Sequence, residues 1–105
     1  MIKVTVLYPK IEGGEFDFDY YLNTHMPRSI ELLGPHMRSI IVERGVNPGE
    51  PWPDAQYVAI ASFVCGSKEA YESAFLPHAA ELQGDIAHYT NIEPIIQISE
   101  ISIDH

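Results

Sequence analysis

The stretch DFDYYLNTHMPRSIELLGP, from Asp17 to Pro35, places His25 four residues after Tyr21 and two before Pro27. Residues four apart share one face of a regular helix. An imidazole and a phenol so placed can work together on a carbonyl compound. The imidazole takes a proton alpha to the carbonyl, and the phenol stabilises the enolate that results. Asp17 and Asp19 are the nearby carboxylates available to orient the ring. The same residues fit a second reading, in which His25 is hydrogen-bonded in the core and inert.

The remaining chemistry-bearing residues point less sharply. His88 and Tyr89, in DIAHYTN, precede the last strand and are candidates to close one end of a pocket. His78 follows Pro77 and reads as a solvated helix residue, while His36 and His105 read as strand-start and tail residues. No H-x-x-x-H pair and no cysteine ligand set occurs, so no metal site is expected. EGGEF and NPGEP lack the strand-to-helix form of a phosphate loop, and there is no G-x-S-x-G elbow. The single cysteine, Cys65, sits in an apolar run without an evident base and reads as core packing. Trp52, between Pro51 and Pro53, reads as a loop anchor or part of a lid.

The elements that must position these residues follow from the period of the apolar positions. IKVTVLYP alternates, with Ile2, Val4, Val6 and Tyr8 on one face, and reads as a strand. A helical stretch opens at Asp17 or Phe18 and stops at Gly34-Pro35. GPHMRSIIVERGV and AQYVAIASFVC read as the second and third strands, joined by the proline-rich loop NPGEPWPD. Ser67 caps a second helix, SKEAYESAFLPHAAELQG, and IEPIIQISEISI closes the chain as a strand. The order β-α-β-β-α-β predicts a single α+β domain over residues 1–105, a ferredoxin-like βαββαβ sandwich.

Such a topology has two similar halves. Sliding the helices by fifty residues pairs Tyr21 with Tyr71, Pro27 with Pro77, Leu32 with Leu82 and Gly34 with Gly84. An interior proline costs a helix about 3 kcal/mol, so each helix is expected to be two segments meeting at the proline. Met26 and Leu76, just before those prolines, are expected to leave the α region. His25 is matched by Phe75, which predicts that both point inward and favours some pocket lined by Phe75. Two helices cover one face of a four-stranded sheet, yet the strands read as apolar on both faces. A homodimer with sheets packed face to face is therefore expected. Ile96 and Ile98 are out of phase with Ile101 and Ile103, which predicts a bulge or a strand end that crosses to the partner.

FDYYLNTHMPRSIELLGP, together with YTNIEPIIQISEI, resembles the EthD family, named for a protein encoded with an ether-degradation system. The family pattern F-x-x-Y-Y-x-x-x-H-x-P falls on Tyr20, Tyr21, His25 and Pro27, and the closing iEPxxQxSE segment falls on the last strand. The similarity runs from the first strand to Glu100. It implies the dimeric α+β barrel fold, shared with small polyketide cyclases, muconolactone isomerases and antibiotic-type monooxygenases. Several of those work without metal or organic cofactor, so none is expected here. The resemblance also implies Tyr20 as a candidate substrate-binding residue beside His25 and Tyr21.

Composition bounds the partners. Fifteen acidic residues against six Lys and Arg give a net charge of −9, which repels phosphate backbones and anionic membrane surfaces. Neither nucleic acid nor membrane is an expected partner. MIKVTVLYPK alternates rather than forming a leader-like apolar run, so a cytoplasmic location is expected. The function expected is a small cofactor-independent enzyme acting on a small hydrophobic carbonyl compound, as isomerase, dehydratase, cyclase or monooxygenase-like protein. The alternatives are a non-catalytic small-molecule-binding accessory protein of a degradation pathway, or a purely structural dimer.

Overall fold

In the computed structural model, which describes residues 1–105, four antiparallel strands form one sheet in the order β2-β3-β1-β4. They are β1 (Ile2–Pro9), β2 (Ser39–Arg44), β3 (Tyr57–Cys65) and β4 (Ile95–Glu100). The first helical run comprises α1 (Phe18–Tyr20), a π turn (Tyr21–His25), α2 (Met26–Leu33) and a 3-10 turn (Gly34–His36). The second comprises α3 (Lys68–Phe75), a 3-10 turn (Leu76–His78), α4 (Ala79–Gly84) and a further 3-10 turn (Ile86–His88). This is the expected βαββαβ order and an α+β ferredoxin-like sandwich. No helix is long and apolar enough to cross a membrane.

The alternation of β1 does what its sequence requires. Val4 and Tyr8 are buried beneath the helices, in a core they share with Ala59, Ala61 and Phe63 of β3 and Leu33 and Leu82 of the helices. Side chains of a strand point alternately to its two faces, so Lys3, Thr5 and Leu7 point the other way. Opposite them in register stand Val64, Ser62 and Ile60 of β3 and Ser99, Gln97 and Ile95 of β4. The face away from the helices is thus mixed: Leu7 forms an apolar row with Ile60 and Ile95, while the next row, Thr5 with Ser62 and Gln97, is polar. The phase change in the last segment needs no bulge. Pairing with β1 runs unbroken from Ile95 to Glu100, and the strand ends there, with Ile101 N–H bonded to the Met1 carbonyl and Arg38 paired with Asp104.

The two prolines are absorbed differently: the second helix divides into two segments at Pro77 as expected, and the first does not break at Pro27. A proline ring clashes with the carbonyl four residues earlier. In the first helix the backbone widens into the π turn: the Met26 N–H reaches back five residues to the Tyr21 carbonyl. His25 and Met26 keep right-handed helical dihedrals, so the helix axis continues through Pro27. In the second half Leu76 also stays helical, and the chain leaves the helical region only at His78, after Pro77 in its 3-10 turn. The preference of a pre-proline residue for extended backbone is overridden at both sites by the packing of the flanking helical turns. Asp17 caps the first run by accepting the Tyr20 N–H at 3.1 Å, and Ser67 caps α3 by accepting the Ala70 N–H at 3.0 Å.

Candidate functional site

The π turn fixes the position of His25. A π turn holds one more residue than an α turn and is frequent at functional sites. Here it buries both Tyr21 and His25 and leaves Leu22, Asn23 and Thr24 outside. His25 is 8% exposed. Its Nδ1 lies 2.9 Å from Oδ2 of Asp85, at the C-terminal end of α4. The carboxylate therefore comes from the second half of the chain. Asp17 is occupied in capping the helix and Asp19 is exposed, so neither orients the imidazole.

Asp85 is hydrogen-bonded by Tyr20 and His25, with His88 close beside it. Its Oδ1 accepts the Tyr20 O–H at 2.6 Å and lies 3.0 Å from His88 Nδ1, which is also 3.2 Å from the Tyr20 hydroxyl. Burial pushes the Asp85 carboxyl up. The hydrogen bonds from Tyr20 and His25 and the two nearby rings outweigh it, leaving the carboxyl below its ordinary value. A ring-nitrogen lone pair aimed at a carboxylate would be repelled, so the network assigns an N–H to His25 Nδ1. The neutral ring then carries its lone pair on Nε2, which makes no hydrogen bond within the protein. A carboxylate–imidazole pair of this kind is the orienting half of a general base.

His25 also lines a cavity of about 110 Å³ between the helices and the sheet. Tyr8 of β1, Ser29 of α2, and Tyr71 and Phe75 of α3 contribute to its wall. Tyr71 and Phe75 stack with centroids 5.5 Å apart and an interplanar angle of 15°, and Phe63 meets Tyr71 at 6.2 Å. Burial pushes the Tyr71 phenol up to about 12. The Ser29 hydroxyl is committed to the His25 carbonyl at 3.1 Å. The wall is therefore largely apolar and partly aromatic, with the His25 imidazole and the Tyr8 and Tyr71 phenols as its titratable groups. A space of roughly this size accommodates one six-membered ring, since a cavity of about 150 Å³ binds benzene.

The residues singled out in the sequence divide into three groups. His25 and Phe75, the pair related by the fifty-residue shift, line the same cavity. Tyr20 and His88 stand behind Asp85 and hold it rather than lining the cavity. Tyr21 and Tyr89 flank the imidazole with their rings, at 5.8 Å and 4.7 Å, and lie outside the cavity wall. The Tyr21 hydroxyl is buried without a partner, so that residue presents a ring face and no hydrogen bond. Two residues were not anticipated. Asp85 is sixty positions from His25, and no local spacing marks it. Tyr8 lay on the core face of its strand, but nothing in an alternating strand distinguishes a working phenol from a packed one. No set of three His, Cys, Asp or Glu side chains is grouped to hold a metal ion.

Comparison with known proteins bears on this arrangement. The EthD domain family model matches residues 13–93, which include the first helical run, the sheet strands β2 and β3, and Asp85 through Tyr89. The chain belongs to the EthD family. An EthD-like protein of Ralstonia eutropha, known as a crystal structure, is 40% identical with a TM-score of 0.87, covering 99% of this chain and 94% of its own. An ethyl tert-butyl ether degradation (EthD) family protein of Bacillus halodurans is 21% identical with a TM-score of 0.64, covering 96% and 98%. HapK of Hahella chejuensis is 12% identical with a TM-score of 0.53, covering 98% and 96%. The last two share the fold alone. No curated protein sequence matches the chain.

Proposed function

We propose that this EthD-family protein is a cofactor-independent enzyme that moves a proton on a small, hydrophobic carbonyl compound held in the cavity between helices and sheet. The observation that carries this reading is the Asp85–His25 pair, at 2.9 Å, with the free Nε2 of His25 in the wall of a mostly apolar cavity. The substrate C–H bond breaks as its proton passes to Nε2. Its electron pair becomes the C=C bond of an enolate, and the carbonyl electrons move onto oxygen. Asp85 stabilises the imidazolium across the Nδ1 hydrogen bond without taking the proton itself. If the Nε2 proton first trades with solvent, protonation of the same carbon gives exchange, and protonation of a conjugated carbon gives isomerisation. Neither requires redox equivalents.

A monocyclic β,γ-unsaturated ketone tests the reading. The wild type should convert it to the conjugated ketone, seen as rising ultraviolet absorbance, and should exchange its alpha protons with D2O by NMR. His25→Phe should do neither. Ligand binding without conversion or exchange would refute catalysis and leave the binding-protein reading.

The working form in this proposal is a cytoplasmic homodimer packed through the sheet face away from the helices. Leu7, Ile41, Ile60 and Val64 lie on that face, and Ile41 is half exposed. Equilibrium sedimentation at micromolar concentration should give twice the chain mass, and a monomer would refute this part. The net charge of −9 supports a reading without nucleic acid or membrane partners.

A further inference from the structure

We propose that Tyr8 is the acid partner of His25, donating from its hydroxyl the hydrogen bond that holds the developing enolate oxygen of a flat, monocyclic carbonyl substrate. This rests on the carbon-acid reading above and deepens it. Tyr8 and His25 line the same cavity. The Tyr8 hydroxyl lies 2.6 Å from that of Tyr89, and either oxygen can be the donor. Two hydroxyls share one hydrogen bond, so one proton is left over, and the surroundings decide which. Both phenols are buried, and what separates them is that Tyr8 belongs to the cavity wall whereas Tyr89 lies outside it and its hydroxyl makes no other hydrogen bond. Were Tyr8 the donor, the Tyr89 proton would be stranded in the core, an arrangement native interiors avoid. With Tyr89 donating, both protons of this pair have a place: the Tyr89 proton lies on Tyr8, and the Tyr8 proton is left for a ligand.

This orientation also makes Tyr8 the stronger donor. Burial raises both phenols, but the bond Tyr8 accepts pulls it back down while the bond Tyr89 donates raises Tyr89 further. A hydroxyl that accepts one hydrogen bond is polarised to give another. Tyr21, the phenol that helical spacing singles out, fails on geometry, since its hydroxyl has no partner and its side chain is not in the wall. In the step itself, the C–H proton goes to His25 Nε2 while the carbonyl oxygen gains charge against the Tyr8 O–H. The Tyr8 proton stays on Tyr8 throughout, and the imidazolium supplies the proton that ends the cycle. The stacked Tyr71 and Phe75 rings form a flat side wall, and a space of about 110 Å³ suits a substrate of one ring.

The test uses para-nitrophenol, a one-ring compound whose ionised oxygen mimics the enolate. Binding is read by calorimetry, and ionisation by absorbance, at a pH where the free ligand is mostly neutral. The wild type should bind it in the ionised form, its proton on His25 and its oxygen on Tyr8. Tyr8→Phe should weaken binding about tenfold or more and return the ligand to the neutral form, because a hydrogen bond to a charged oxygen is lost. Tyr89→Phe leaves the Tyr8 proton in place but removes the bond that polarises it, and should weaken binding by less than Tyr8→Phe does. If Tyr8→Phe does not fold, fluorotyrosine at position 8 keeps the ring and the hydroxyl while sharpening the donor, and should raise the ionised fraction. Wild-type affinity and ionisation in Tyr8→Phe, or no response to fluorotyrosine, would overturn the proposal. Failure of the wild type to bind at all would instead overturn the cavity reading on which it rests.

Discussion

Asp85→Asn separates positioning from packing at this site. Asparagine keeps the size of the side chain, and its Oδ1 can still accept the Tyr20 O–H that now lies at 2.6 Å. What changes is the bond to His25. If the amide nitrogen takes the place of Oδ2, it offers a donor where the imidazole has its N–H, and the ring flips or moves its proton to Nε2. Either result removes the lone pair from the cavity. Hydrogen bonds to charged groups contribute about 1.5–3 kcal/mol and neutral ones about 0.5–1.5. The loss of one charge-assisted bond is therefore about 1 kcal/mol, at the low end because the Asp85 side chain is 24% exposed and solvent screens it. For a domain of this size that lowers the melting temperature by about 4–8 °C. Proton abstraction should suffer more than stability does. A wrong imidazole tautomer in a serine protease costs about 10⁴-fold, and the partly solvated pair here should lose about 10²-fold in the rate of enone isomerisation. Calorimetry and the ultraviolet assay on one preparation give both numbers. A variant that is destabilised as expected yet isomerises within about threefold of wild type would refute the claim that Asp85 sets the basicity of Nε2.

The network makes four further expectations. Tyr21→Phe removes a buried hydroxyl that has no partner; it should raise stability by about 1 kcal/mol in urea melts and leave isomerisation unchanged. His25→Phe copies the residue that the second half uses at the matching position, and Asp85 keeps its hydrogen bond from Tyr20 with His88 Nδ1 3.0 Å away. It should melt within about 5 °C of wild type while losing its thermal shift with monocyclic ketones. Phe75→Ala should cost about 2–3 kcal/mol, below the range for a fully buried Phe because this ring is half-buried, and should admit larger ligands in calorimetry. The folded-state Asp85 carboxyl lies below its ordinary 3.8, so its pairing stabilises the fold fully above that pH. The contribution disappears as pH falls through the lower folded value. Melts of wild type and Asp85→Asn between neutral pH and pH about 2 should therefore converge on the acid side, and parallel curves would count against the network.

Periodicity was enough for the fold and for the inward aim of His25. Alternation located β1, where a half-buried strand has to alternate, and a continuous apolar run of β-formers located β3. The fifty-residue offset anticipated that His25 and Phe75 would face one space, and both line the same cavity. The partners of His25 were not legible for a physical reason. Helical spacing reports residues on the same helix, which led to Tyr21, Asp17 and Asp19, whereas the groups that complete the site reach it across the sandwich. Asp85 arrives from the end of α4 and Tyr8 from β1, and each is an ordinary residue for its local element. The outer face of the sheet is less continuously apolar than single strands suggest, for a related reason. Counting apolar residues on both faces of single strands missed the cross-strand neighbours, such as Thr5 opposite Ser62, that make the outer face mixed.

Pro27 and Pro77 show how similar local sequences end in different geometry. A proline within a helical run needs relief from the carbonyl four residues back, and there are two ways to give it. The second half tightens into a 3-10 turn and leaves the helical region at His78, so α3 and α4 become separate segments and α4 ends at the site of Asp85. The first half widens instead and stays helical, so Tyr21, His25, Ser29 and Leu33 remain one continuous buried stripe. Neither device alone builds the pair. The widened turn holds the imidazole without breaking the helix that packs on the sheet, and the broken helix brings a carboxylate to within 2.9 Å of it. The base and the group that orients it thus come from the two halves of the pseudo-repeat, each carried by its own way of accommodating a proline.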